Sequence, residues 1–92
     1  MTAREKLLRA DALVKAGQHT AAIDTYLEAA DQYAGSGFSV KAIAVYRQVQ
    51  ELAERCEPIS VEARTRALRA LLSLYVELGL VADAERTRAM FD

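Results

Sequence analysis

Four helix-breaking residues divide the chain at nearly equal intervals. Gly17, Gly37, Pro58 and Gly79 stand 20, 21 and 21 residues apart. Between them the apolar residues recur with a helical period. Glycine ends a helix because it enters the left-handed region without a Cβ penalty. Proline does so because it lacks an N–H and restricts the residue before it. Short turns at these points make successive helices antiparallel. Two helices with their turns repeat every 41 or 42 residues. Such a hairpin cannot bury both of its apolar faces alone, so neighbours must stack on it.

The pattern predicts five helices, over about 3–16, 21–34, 40–55, 61–78 and 82–90. The first opens on Thr2-x-x-Glu5, the spacing of a capping box, in which hydroxyl and carboxylate each satisfy an orphan N–H. Its apolar stripe is Leu7, Leu8, Leu13 and Val14, while Glu5–Arg9 and Asp11–Lys15 are spaced as i,i+4 ion pairs. Thr20 and Ser39 are the expected N-caps of the second and third helices. Ile23, Tyr26, Leu27, Ala30 and Tyr33 define the buried face of the second; Val40, Ile43, Tyr46, Val49 and Ala53 that of the third. Glu51–Arg55 is another i,i+4 pair. The fourth helix is apolar on two sides, through Leu68, Leu71, Leu72 and Tyr75 and through Ala67, Ala70, Leu74 and Leu78. That calls for neighbours on two sides.

The residues around these turns resemble a tetratricopeptide repeat (TPR), whose signature runs W-x2-L-G-x2-Y, then A-x3-F, then P. The second and third helices give Tyr26-x2-Ala29-Ala30-x2-Tyr33, then Ala42-x3-Tyr46, then Pro58. The fourth and fifth give Leu68-x2-Leu71-Leu72-x2-Tyr75, then Ala84-x3-Arg88. The first and second give Lys6-x2-Arg9-Ala10-x2-Leu13, then Ala22-x3-Tyr26. The copies depart from the family. Tyr46 to Pro58 is one helical turn longer than its spacing, Leu72 replaces a small residue, and Arg88 replaces an aromatic. The period also exceeds the family's roughly 34 residues. The resemblance implies an all-α fold of about five antiparallel helices in a right-handed TPR-like α-solenoid, with hairpins of about 42 residues. HEAT-like stacking, at about 40–47 residues, is the nearest alternative. Pairing the second helix with the third and the fourth with the fifth uses the stronger motifs and leaves the first helix as a cap; the other frame leaves the fifth.

Composition narrows the chemistry. Ninety-two residues make one domain, 52 % hydrophobic but only 7 % aromatic, as closely packed helices require. The net charge of −1 steers the chain towards neither nucleic acid nor an anionic membrane. A single cysteine, Cys56, forms no internal disulfide and no cysteine-built zinc site, and implies a reducing, cytoplasmic setting. No apolar run reaches ~18 residues, and the N-terminus is too charged for a signal peptide. His19 reads as a plain turn residue, and the G-S-G at Gly35–Gly37 follows a helix rather than a strand, so it is no phosphate loop. The four tyrosines, Tyr26, Tyr33, Tyr46 and Tyr75, stand where a hairpin core wants a large side chain. No catalytic, cofactor or metal site is expected, and the chain reads as a non-enzyme.

A binding surface is the better expectation. In the family resembled, ligand lies along the face made by the first helix of each hairpin. Carried over, that face holds Asp24, Leu27 and Asp31 on the second helix and Arg66, Arg69, Ser73 and Val76 on the fourth. The chain contains no asparagine, so it does not reproduce the family's clamp for a C-terminal carboxylate. Asp24, Glu28 and Asp31 form an acidic stripe, read as a solvated face or as a contact for a basic partner. Arg64, Arg66 and Arg69 read first as a charged face partly neutralised by Glu62. Next they read as the counterpart of the acidic stripe, across the groove or on another copy. A phosphate grip comes last, because three arginines beside acids make a poor nucleic-acid footprint. The chain is therefore expected to be an adaptor or scaffold binding a partner protein or peptide. The alternative is a structural protein that self-associates, as a homodimer for example, through Leu80, Val81, Met90 and Phe91, which little else in the sequence covers.

Overall fold

The computed structural model, which describes residues 1–56 and 58–91, contains five helices. They are α1 (Ala3–Lys15), α2 (His19–Gly35), α3 (Ser39–Arg55), α4 (Val61–Glu77) and α5 (Val81–Ala89). No strand occurs among the described residues, so the fold is all-α.

Three of the four connections are the same turn. Gly17, Gly37 and Gly79 take φ values of +77°, +83° and +70°. In each case the next residue's N–H returns to a carbonyl five residues back: Gln18 to Leu13, Phe38 to Tyr33 and Leu80 to Tyr75, all at 2.9 Å. This is the 6→1 bond of a Schellman motif, and it satisfies a carbonyl the helix end leaves orphaned. The carbonyl of that same residue then accepts the first helical N–H of the following helix, from Ala22, Ala42 or Ala84, at 2.9–3.0 Å. One residue thus closes one helix and opens the next.

That economy corrects the expected caps. Thr20 and Ser39 do not cap α2 and α3; Gln18 and Phe38 occupy the cap positions, with no side-chain cap bond. The helices begin at His19 and Ser39 rather than at 21 and 40, because the residue after the glycine already holds the first helical carbonyl. α1 closes at Lys15, α2 at Gly35 and α4 at Glu77, and α5 runs Val81–Ala89, each one residue from the expected end, while the start of α1, the end of α3 and the start of α4 fall where expected. The box at Thr2 forms as spaced, the Thr2 N–H donating to Glu5 Oε1 at 2.9 Å and the Glu5 N–H to Thr2 Oγ1 at 3.1 Å. The backbone bond at Thr2, followed by its side-chain bond, holds the Glu5 carboxyl below its ordinary range. Glu5 is thereby engaged with Thr2 rather than with Arg9. Arg55 and Glu51 do approach, to 3.9 Å, on an exposed surface.

Each helix packs on its chain neighbours, α1 on α2, α2 on α3, α3 on α4 and α4 on α5, in a slab of 37 × 30 × 15 Å. Along α1 the cross-helix partners run backwards along α2, Lys6 meeting Glu28 and Asp11 meeting Tyr26, so the two are antiparallel. Small residues allow the close approach: Ala10, Ala22, Ala30, Ala42, Ala53 and Ala67 are wholly buried. Val49, Leu68 and Leu71 are the largest fully buried side chains, and Tyr26, Tyr46 and Tyr75 are buried with them. Tyr33 is half-buried, edge-on to Phe38 at 6.3 Å, with the Lys41 ammonium over both rings at 5.7 and 5.3 Å. Three residues assigned to apolar faces lie exposed instead: Leu8, Val40 and Leu78. Each sits at the margin of its stripe, and α1 has a packed neighbour on one side only.

The turn geometry makes a stability test. Nothing lies within 4 Å of a Cβ built at Gly37 or at helical Gly35, so only backbone conformation separates them. Gly37→Ala is expected to cost about 1–2 kcal/mol for an alanine held left-handed. That lowers the melting temperature by roughly 4–8 °C per kcal/mol. Gly35→Ala, where φ is not positive, is expected to be neutral or stabilising by up to about 1 kcal/mol. Thermal unfolding followed by circular dichroism measures both.

Candidate interaction groove

The side chains of three helices meet on one carboxylate. The Tyr46 hydroxyl on α3 donates to Asp31 Oδ1 at 2.5 Å, and Arg66 Nη2 on α4 donates to Asp31 Oδ2 at 2.5 Å. Asp31, on α2, therefore holds a buried phenol with one oxygen and a cation with the other. A similar tyrosine–aspartate pair occurs one module earlier, where the Tyr26 hydroxyl donates to Asp11 across α1 and α2. Both pairs join residues 15 apart in sequence. Burial, then the hydrogen bond to the neighbouring aspartate, pushes both phenols above their ordinary range. The Arg66–Asp31 pair is half-exposed, at 59 % and 44 %, so its direct stabilisation is at most about 1 kcal/mol. Its importance is geometric, because it ties α4 to α2.

The arginines expected as a cluster separate. Arg66 reaches across to Asp31 rather than pairing with Glu62, which corrects the local i,i+4 expectation. Arg64 turns the other way, with Nε on Glu54 at 2.8 Å and Nη2 towards the Met90 carbonyl at 3.4 Å. Arg69 is exposed. The acidic stripe also divides, since Glu28 faces Lys6 on α1 at 3.4 Å, Asp31 is held at the junction, and Asp24 opens onto a cavity. Asp11, placed in sequence opposite Lys15, is taken by Tyr26 instead.

That cavity, of about 620 Å³, lies between the N-terminal halves of α2 and α4. Buried Ile23, Leu27 and Ala63 form its floor, and Pro58 and exposed Ile59 form a wall. Asp24 and Glu62 stand on it, and Arg66 closes its inner end. The connection between α3 and α4, which borders it, is not the tight glycine turn. Cys56 is extended there (φ −69°, ψ 151°), and the Ser60 N–H returns to the Ala53 carbonyl at 3.2 Å. Beyond the Asp31–Arg66 bridge a second cavity of about 210 Å³ lies between the C-terminal halves of the same helices, against Ala34, Tyr46, Ala70, Ser73 and Leu74, with Glu77 beside it. Early residues of α2 face early residues of α4, and late face late. The two helices are parallel walls of one groove, with Tyr46 of α3 behind it and an ion pair across its middle.

Of the residues assigned from sequence, Asp24, Leu27, Asp31, Arg66 and Ser73 fall along this groove. Arg69 lines none of the cavities described. Val76 faces elsewhere, onto a cavity of about 160 Å³ with Gly79, Val81, Ala84 and Arg88 between α4 and α5. Leu80 and Val81 are exposed. Met90 and Phe91 are half-buried, and the Met90 sulfur accepts from Gln50 Nε2 at 3.7 Å, so the end of α5 folds back on α3. Sequence reasoning missed Ile59 and Glu62 as groove residues. Pro58 marked the break between helices, but nothing in the pattern indicated that a looser connection there would leave a cavity. His19 and Cys56 also border it, yet among the described residues no three histidine, cysteine or acidic side chains come together as metal ligands. No helix among the described residues is long and apolar enough to cross a membrane. Comparison with models of protein families, with curated proteins and with solved structures finds no match for the chain.

The two phenols give a pH signature. Their folded-state values lie above those of the unfolded chain, so the stability they contribute is full below about pH 10, the ordinary phenol range, and is lost as pH rises beyond it. Denaturant unfolding at increasing alkaline pH is expected to show this decline. The double variant Tyr26→Phe, Tyr46→Phe is expected to start less stable and to lose less over the same interval.

Proposed function

We propose that this chain is a non-enzymatic protein–protein interaction module, a TPR-like adaptor or scaffold that binds a partner protein or peptide in the groove between α2 and α4. The observation that carries the reading is the groove itself, an apolar floor bordered by charged side chains that packing does not consume. Its larger cavity, about 620 Å³, falls within the roughly 300–1,000 Å³ typical of ligand sites. The TPR-like assignment draws support from the recurrence of one glycine turn followed five residues later by a buried alanine, at Gly17–Ala22, Gly37–Ala42 and Gly79–Ala84. Pairing α2 with α3 and α4 with α5 makes α2 and α4 the first helices of two stacked hairpins, with α1 as the cap. In a right-handed solenoid of that kind, with a hairpin period near 42 residues, first helices line the binding face. A cytoplasmic setting fits the single unpaired cysteine.

One observation favours a second reading, self-association. Val76, Leu78, Leu80 and Val81 are all exposed around the α4–α5 turn, an apolar patch that another copy of the chain would cover.

A photo-crosslinking residue introduced in separate variants at Thr20, Gln48 or Val81, and activated in cells that express the chain, distinguishes the readings. The interaction-module reading expects a discrete heterologous product from Thr20, on the groove, which Asp24→Lys abolishes, and none from Gln48 on the outer face of α3. A product of twice the chain's mass from Val81, with nothing from Thr20, would transfer the function to self-association.

A further inference from the structure

Resting on the groove as an interaction surface, we propose that its occupant is a short segment in which a lysine or arginine stands beside a large apolar residue. Electrostatics sets the first requirement. α2 carries three acids and neither lysine nor arginine along its 17 residues. The cation that α4 sends into the groove, Arg66, is already satisfied by Asp31. Asp24 and Glu62 on the larger cavity, and Glu77 on the smaller, form none of the ion pairs found among the described residues. The groove therefore presents uncompensated negative charge in a chain whose net charge is only −1. A cation entering the larger cavity is attracted by carboxylates on both walls. An acidic peptide or a phosphate backbone meets like charge there.

Packing sets the second requirement. The floor of Ile23, Leu27 and Ala63 is apolar, and Ile59 projects beside it with 56 % of its surface exposed. An apolar side chain resting on that floor covers Ile59, the apolar residue there that stands open to water, while the neighbouring cation stays at the rim between Asp24 and Glu62. The Asp31–Arg66 bridge walls off the inner end, so the larger cavity takes one anchoring side chain and the backbone around it rather than a folded domain.

Selection of a displayed library of random short peptides on the purified chain tests this directly. The expected result is enrichment of lysine or arginine within one or two positions of a leucine, isoleucine, methionine or aromatic residue. Affinity for an enriched peptide is expected to fall at least about tenfold in the double variant Asp24→Lys, Glu62→Lys, and to weaken as salt rises to about 0.15 M. Asp24→Asn with Glu62→Gln serves if the charge-reversed chain loses its helical circular dichroism, and the same direction of change is expected. Acidic or uncharged winners that Ile59→Glu displaces would overturn the proposal while leaving the groove as an interaction surface. Basic winners indifferent to both double variants would place their site elsewhere and overturn it too. No enrichment at all would overturn both the proposal and the reading beneath it.

Discussion

Asp31 is the point on which the arrangement of α2, α3 and α4 depends. A carboxylate accepts at both oxygens, and here one serves Tyr46 on α3 and the other Arg66 on α4. The phenol ring is buried, and Asp31 is the partner that satisfies its hydroxyl. The ion pair adds little stability at its exposure, but it bridges the lateral distance between two helices that are not chain neighbours. That distance is the width of the groove.

The glycine turns supply the frame in which this junction can form. Each reverses the chain by the same hydrogen bonds and delivers an alanine to the next interface at the same offset. Repetition of one local solution gives helices packed in series, with a core built from alanine as much as from leucine. Where the pattern breaks, between Arg55 and Val61, the connection is not a glycine turn, and the cavity of about 620 Å³ lies beside it.

Much of this was legible in the sequence because it is local. Breaker spacing gave five helices and an all-α fold, Thr2-x-x-Glu5 formed its box, and three of the four tyrosines are buried. Short-range rules failed where a distant group competed. Arg66 preferred Asp31, 35 residues away, to Glu62 on its own helix, and Asp11 preferred the Tyr26 hydroxyl to Lys15. Thr20 and Ser39 were plausible caps only until the turn filled the cap position with the residue after its glycine. Of the site, the Asp24–Leu27–Asp31 and Arg66–Ser73 rows follow from helical spacing. Val76 faces α5, and Ile59 enters through a loop whose path no periodicity encodes.

If Asp31 holds α4 to α2 and so sets the groove, its removal alters the separation of the two helices. Pulsed electron paramagnetic resonance between nitroxides at Gln32→Cys and Arg69→Cys, in a Cys56→Ser background, measures that separation with and without Asp31→Ala. One narrow distance distribution is expected with Asp31 in place and a broadened or shifted one without it. An equally narrow, unmoved distribution in the variant would mean that packing alone, and not Asp31, sets the groove.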